Sequence, residues 1–309
     1  MAAILFHSTS DSAARWRASL AELMPELEFR AWPEIGDRGD VEYALVWKPP
    51  AGMLAGLPRL RVIASLGAGI DHVFLYPDLP DVPVVRLVDP HMVAAMSEYV
   101  ATHVLRLHRQ DLAYTAQARR GEWRELRQPN ADERRVGILG LGEMGAAAAR
   151  RLQGLGFDVG GWSRRPKDLP GIRCHAGASG LREMLARTDI LVCLLPLTPE
   201  TDGILDAKLF AQMPRGAMLL NAGRGAHLVE EDLIPALDAG QLSAAVLDVF
   251  RQEPLPADHP FWRDERIHVT PHIAAATNPR TAALAVAETF RRAREGLPLL
   301  NVVDRGAGY

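Results

Sequence analysis

The chain has 309 residues, 48% of them hydrophobic and 24% charged, with a formal net charge of -3 at pH 7. At roughly 100–200 residues per domain this length asks for two cores. The small net charge gives no electrostatic reason to expect a nucleic acid or an anionic membrane as partner, and no apolar stretch approaches the roughly 18 residues of a membrane span. The two cysteines, Cys174 and Cys193, make no disulfide framework, CxxC pair or zinc spacing, so no metal is expected. They fit a reducing, cytoplasmic setting. The start, MAAILFHSTSDSAARW, has no basic n-region and soon turns polar, so no secretory signal is expected.

Short apolar runs alternate with longer helix-like segments, the pattern of βα units and parallel sheets. The first strands are expected at 3–6, 28–31, 43–47 and 62–65, with a helix over 11–23 between the first two. This describes a small flavodoxin-like or Rossmann-like domain. A long helix is expected from about His91 to Gly121. Val93, Met96, Val100, His103, Val104 and Leu107 share one face at three- and four-residue steps. Its length suggests a connector between domains and a contact in a two-fold homodimer. Residues 121–134 are charged and irregular. A second series then gives six strands, at 136–139, 157–162, 189–194, 217–221, 244–247 and 268–270, the count of a dinucleotide-binding domain. A last helix is expected over 278–295.

The first strand of the second series runs into VGILGLGEMG, residues 136–145. A bare GxGxxG is weak evidence, but here it follows an apolar strand and opens a helix, as phosphate binding requires. Gly140 permits a tight turn, Gly142 lets backbone approach a pyrophosphate, and Gly145 allows close packing of helix on strand. The N–H groups of Leu141, Glu143 and Met144 complete the cradle at the positive end of the helix dipole. The alternative is a glycine-rich βα turn without a ligand.

The end of the next strand decides the nucleotide. A site for NAD usually carries an acid there for the ribose 2′-hydroxyl. This chain reads WSRRPK over 162–167, and Asp158 comes too early. Ser163 can hydrogen-bond a 2′-phosphate, and Arg164 and Arg165 can pair with it. NADP(H) is therefore expected over NAD(H). The alternative reading of SRRPK is a solvated loop.

Three strand exits carry candidate chemistry. Arg224 follows a strand in LLNAGRG (219–225), Glu253 stands in LDVFRQEPLP (247–256), and His272 in TPHIAA (270–275). Hydride reduction of a 2-oxo acid needs these types. A histidinium delivers a proton to the developing alkoxide. A carboxylate on the far ring nitrogen orients the ring and favours its charged form. An arginine binds the substrate carboxylate and polarises the carbonyl. Taken singly, Arg224 reads more readily as a surface ion pair and His272 as a turn cap. Their common placement after successive strands favours the joint reading. Gly67-Ala68-Gly69 can form an anion-binding nest or a simple strand-ending turn.

In these motifs, together with SLGAGID (65–71) and LLPLTPETDGILD (194–206), the chain resembles the D-isomer-specific 2-hydroxyacid dehydrogenase family over nearly its whole length. LVWKPP (45–50), WSRRPK, PFWRDERIHVTPHIAA (260–275) and the tail DRGAGY (304–309) resemble its bacterial glyoxylate/hydroxypyruvate reductases in particular.

The resemblance implies an α/β fold of two Rossmann-like/flavodoxin-like domains, parallel sheets flanked by helices, with a cleft between them. The last helix would return to the first domain, giving a discontinuous substrate domain over 1–99 plus 276–309 and an NADP-binding domain over 100–275. It implies catalytic roles for Arg224, Glu253 and His272. Leu195, Pro196 and Thr198 would lie beside the cofactor ribose, Ala222 beside the cofactor, and Asp248 on the nicotinamide carboxamide. Ala68 and Gly69 would receive the substrate carboxylate, with Arg224 and His272 also touching substrate. Trp47 and Met92 match substrate-side positions, and an apolar packing role suits them equally. The activity implied is NADPH-dependent reduction of glyoxylate and hydroxypyruvate. The alternatives are a reductase of broader 2-oxo acid range and a non-catalytic dinucleotide-sensing protein.

Overall fold

The structure is a computed structural model that describes residues 2–76 and 78–306; the end of the DRGAGY tail, 307–309, lies outside them. The chain divides into two compact units, Met1–Met92 with Thr277–Tyr309, and Val93–Ala276. No helix among the described residues is long and apolar enough to cross a membrane.

The first unit holds β1 (Ala3–His7), α1 (Ala13–Leu23), β2 (Glu28–Ala31), β3 (Val41–Val46), β4 (Val62–Ser65) and β5 (Val84–Val85). All pair in parallel, in the order β2-β1-β3-β4-β5, the flavodoxin-like winding. Ser12 caps α1 by accepting from the Arg15 N–H. β3 and β4 are buried at every residue, as strands covered on both faces must be. The two-residue β5 has too little length to show any periodicity and is absent from the sequence expectation.

The expected helix over 91–121 is two helices, α2 (Pro90–His108) and α3 (Asp111–Arg119). Gln110 takes a left-handed φ of 56° and breaks the run. No glycine or proline marks the break, so the apolar spacing reads straight through it. Met96, Val100, Val104 and Leu107 do face the core of the second unit.

That unit continues with β6 (Arg135–Leu139), α4 (Glu143–Gly154), β7 (Asp158–Ser163), β8 (Arg173–Ala176) and α5 (Gly177–Leu185). Then follow β9 (Ile190–Cys193), α6 (Ala207–Phe210), β10 (Ala217–Asn221), α7 (Glu230–Asp238), β11 (Leu242–Leu247) and β12 (Ile267–Val269). The sheet has seven strands, not the six expected, in the order β12-β11-β10-β9-β6-β7-β8, all parallel. The added strand, β8, is an edge with the sequence RCHA and no fully buried residue, so it lacks the apolar run that marks its neighbours.

Alternate residues of the central strands feed two cores. Leu191, Cys193, Leu219, Ala245 and Leu247 enter one. Ile190, Val192, Met218, Leu220, Ala244 and Val246 enter the other. The winding reverses between β6 and β9, which opens a crevice beyond their carboxyl ends, the usual ligand position in such sheets. α8 (Pro279–Glu295) belongs to the first unit, where the Phe290 ring lies 4.7 Å from that of Tyr43.

Candidate active site

The glycine turn lies at the reversal point, between β6 and α4. Gly140 has φ of 99°, and a Cβ there would lie 2.7 Å from Leu194 O on the neighbouring strand exit. A Cβ on Gly145 would lie 1.8 Å from Gly140 O, so helix and turn meet backbone to backbone. A Cβ on Gly142 would meet nothing within 4 Å. The space there is open, and the N-terminal N–H groups of α4 have no side-chain cap. Glycine at 142 is thus unexplained by internal packing and suited to close approach of a pyrophosphate, with the Glu143 and Met144 N–H groups as donors. Leu141 is buried and turned inward, where a Cβ on Gly161 would meet its Cδ2 at 2.4 Å. Its side chain anchors the turn from below. These residues fit a dinucleotide.

Ser163 closes β7, and its hydroxyl donates to Arg165 O at 2.7 Å, shaping the exposed turn that carries Arg164 and Arg165. Asp158, at the other end of the strand, is engaged by Arg173 and, at 2.5 Å, by Arg187. The carboxyl of Glu200 is held below its ordinary range, first by a hydrogen bond from Thr198 and in part by the charge of Arg164. The arginine turn therefore shares the sheet edge with the loop after β9. In that loop the Thr198 N–H donates to Thr201 Oγ1 at 2.8 Å, and Thr201 donates to Pro196 O at 2.8 Å. Leu195 and Ala222 are buried, and the Ala222 N–H donates to Cys193 O at 3.2 Å.

Arg224, Glu253 and His272 follow β10, β11 and β12, three adjacent strands. The arginine turn packs directly on the glutamate loop: a Cβ on Gly225 would lie 1.9 Å from Phe250 C. Glycine at 225 is therefore required by close approach. Arg224 is half-buried, and its Nη1 donates to Gly223 O at 3.0 Å. His272 Nδ1 lies 3.0 and 3.1 Å from the two oxygens of Glu253. An ionised carboxylate only accepts, so Nδ1 carries a proton and Nε2 is the nitrogen left to face a substrate.

His272 has φ of 55°, a left-handed backbone that a histidine rarely adopts. Asp248 holds it there. The His272 N–H donates to Asp248 O at 2.8 Å, and the next two N–H groups, of Ile273 and Ala274, donate to the Asp248 carboxylate at 2.9 Å each. Thr270 Oγ1 donates to the same carboxylate at 2.6 Å and lies 2.6 Å from the Tyr99 hydroxyl. Asp248 is 1% exposed. Three of its acceptor positions are spent on the loop that presents His272.

Trp47, Ala68, Gly69 and Met92 lie in the first unit. Trp47 packs over Gly67, where a Cβ would lie 2.7 Å from its Cζ3, and stacks edge-on with His72 at 4.2 Å. The Lys48 N–H donates to His72 Nδ1 at 3.3 Å, so the ring N–H is on Nε2 and donates to Ser65 Oγ at 3.2 Å. Ser65 Oγ in turn accepts from the Gly67 N–H at 3.2 Å and donates to Gly69 O at 3.3 Å. Ser65 and His72 thus shape the 67–69 turn. Sequence reasoning assigned neither, although both stand within or beside SLGAGID. Met92 is buried. Among the described residues no group of three or more His, Cys, Asp or Glu side chains could hold a metal ion.

Residues 101–274 match the model of the D-isomer specific 2-hydroxyacid dehydrogenase NAD binding domain. Over 99% of each chain, the sequence is 44% identical to glyoxylate/hydroxypyruvate reductase A of Serratia proteamaculans and 41% identical to that of Salmonella typhi. Among solved structures it is similar to a D-isomer specific 2-hydroxyacid dehydrogenase from Xanthobacter autotrophicus, in complex with NADPH and MES (TM-score 0.96, 44% identity, 100% of this chain and 99% of that one). It is also similar to the NADPH-dependent glyoxylate/hydroxypyruvate reductase of Sinorhizobium meliloti in complex with NADP and sulfate (TM-score 0.94, 42% identity, 100% of both chains). The chain belongs to the D-isomer specific 2-hydroxyacid dehydrogenase family.

Proposed function

We propose that this chain reduces small 2-oxo acids with NADPH, glyoxylate to glycolate and hydroxypyruvate to D-glycerate. The observation that carries the reading is the His272–Glu253 pair at 3.0 Å, after β12 and β11, on the same sheet edge as the glycine turn. Relatives similar over the full chain include glyoxylate/hydroxypyruvate reductases, and two similar solved structures hold NADPH or NADP.

When bound, the cofactor supplies the hydride. Gly140 to Gly145 take its pyrophosphate, Ser163, Arg164 and Arg165 its 2′-phosphate, and Leu195, Pro196, Thr198 and Ala222 line its ribose side. Asp248 has one acceptor position left for the carboxamide. Arg224 binds the substrate carboxylate and draws electron density from the carbonyl. His272 delivers the Nε2 proton to the oxygen as negative charge grows there. Glu253 keeps Nδ1 protonated and fixes the ring. The unit Val93–Ala276 forms the cofactor domain, its boundary a few residues before the expected 100. The unit Met1–Met92 with Thr277–Tyr309 forms the substrate domain, where Ala68 and Gly69 receive the carboxylate with Trp47 beside them. A cytoplasmic homodimer is the form expected to act.

The test is loss of NADPH absorbance across a panel of 2-oxo acids, from glyoxylate to large apolar ones, in the wild type and in His272→Ala. Activity confined to the small acids, with turnover reduced about 10²–10⁴-fold in the variant, supports the reading. Binding of NADPH without turnover of any acid would leave a dinucleotide sensor instead.

A further inference from the structure

His227 has no place in the functional reading so far, yet it is wholly buried between two elements of the candidate site. It ends the short turn Gly225–His227 that follows Arg224. The Arg224 N–H donates to its Nδ1 at 3.0 Å, so Nδ1 is the unprotonated nitrogen. The neutral ring then carries its hydrogen on Nε2, which donates to Pro196 O at 3.2 Å. One side of the imidazole thus holds the arginine turn and the other holds the loop after β9. Cys193 Sγ lies 3.7 Å from the same Nδ1, where its thiol can also donate.

The surroundings admit little else. A Cβ on Gly223 would lie 2.9 Å from His227 Nδ1 and 3.2 Å from Leu195 O, so the ring is wedged where turn and loop meet. The backbone on either side is clamped separately. Arg251, from the glutamate loop, donates to Ala226 O at 2.9 Å and to Leu228 O at 3.0 Å. A buried side chain with a donor and an acceptor both engaged, each on a different functional segment, does more than fill volume.

We propose that His227 is a positioning residue that locks the Arg224 turn to the Pro196 loop, and so keeps the substrate-binding and cofactor-binding sides of the site in register. The proposal rests on the functional reading above for the roles of the two segments. Its geometry makes the two ring nitrogens separable. The Oδ1 of an asparagine can stand where Nδ1 stands and accept from Arg224. The amide of a glutamine can reach Pro196 O, as Nε2 does.

The experiment compares His227→Phe, His227→Asn and His227→Gln with the wild type. Steady-state constants are measured with glyoxylate. The NADPH dissociation constant comes from quenching of tryptophan fluorescence, and thermal midpoints are recorded for each protein. His227→Phe is expected to raise glyoxylate KM and the NADPH dissociation constant by roughly tenfold each, the effect of losing one hydrogen bond on each side: the Arg224 N–H is stranded, and Pro196 O is left to Thr201 alone. His227→Asn should return glyoxylate KM and kcat to within about threefold of wild type while NADPH binding stays weak. His227→Gln should do the reverse. ¹⁵N spectra of the wild type should show a histidine in the Nε2–H tautomer whose signals vanish in all three variants.

Unchanged constants in His227→Phe would overturn the proposal. So would losses that run parallel in all three variants and track the thermal midpoint, since a purely structural role predicts that and no crossed rescue. A wild type that binds NADPH and reduces no 2-oxo acid would remove the functional reading instead. The NADPH affinities and the tautomer would then still decide whether His227 holds the Pro196 loop.

Discussion

Asp248→Asn separates two roles for one carboxylate. As a holder of the nicotinamide carboxamide it would act on cofactor affinity. As the anchor of the 270–274 loop it acts on stability and on the presentation of His272. The structure favours the second as the larger effect. Asparagine keeps one acceptor oxygen, which can still take the Thr270 hydroxyl and the Ile273 N–H. Its NH₂ then opposes the buried Ala274 N–H, which now donates at 2.9 Å. A stranded buried amide costs about 1–3 kcal/mol. At roughly 2–4 °C per kcal/mol for a unit of this size, the thermal midpoint should fall by several degrees. The left-handed backbone at His272, φ 55°, is itself a conformation that costs on the order of 1–3 kcal/mol and persists only where its surroundings enforce it. Relaxing one restraint should let the ring drift from its position. We therefore expect kcat to fall at least tenfold, with the NADPH dissociation constant changed by less than about threefold. Differential scanning fluorimetry, cofactor titration and single-turnover hydride transfer give the three quantities. A variant with normal stability and kcat but greatly weakened NADPH binding would refute the anchoring argument.

Replacing Arg164 and Arg165 by Ala should raise the KM for NADPH far more than that for NADH. A charge-assisted contact contributes about 1.5–3 kcal/mol, or roughly ten- to a hundredfold, and equal use of both cofactors by the wild type would end the argument. Arg224→Lys keeps the charge and loses the planar fork. It should raise glyoxylate KM and lower kcat with NADPH affinity nearly unchanged, and equal loss of NADPH affinity would point to a structural role. His103 is 6% exposed, and burial, with the nearby His268 and Arg106 charges, pushes its pKa down to about 4. The folded state thus resists a proton that the unfolded chain takes near 6.5. Its stabilising effect is complete above that value and is lost as pH falls from about 6.5 toward 4. Urea unfolding over this range should show a shallower acid decline in His103→Leu than in the wild type, and parallel declines would exclude His103 as a source.

The fold was legible where burial imposes a pattern. The central strands β9, β10 and β11 send alternate residues into two cores, so they read as apolar runs, ILVC, AMLL and AAVL, in the sequence. The edge strand β8 has one face without a core and reads as RCHA, a polar stretch. The α2–α3 break depends on the backbone of Gln110, and no residue type there announces it. Composition registers which faces are covered. It does not register a left-handed dihedral at a residue such as Gln110, whose type does not announce one.

The candidate site divides along a similar line. The placement of Arg224, Glu253 and His272 after three adjacent strands was legible, because strand exits are where an open α/β sheet presents side chains to a ligand; their catalytic roles are part of the proposal. The residues that hold them were not. His227 and Ser65 carry no charge pattern or periodicity. Their roles arise from which backbone groups lie within hydrogen-bonding distance after folding. Asp248 was legible as a site residue, but the sequence could not show that its carboxylate accepts Thr270, Ile273 and Ala274. The chemistry of a reaction selects side-chain types, and these can be read in order along the chain. Holding a histidine at a left-handed position beside its glutamate is a task for backbone amides, which every residue owns. A sequence therefore names the reacting groups more readily than the supports that keep them in place.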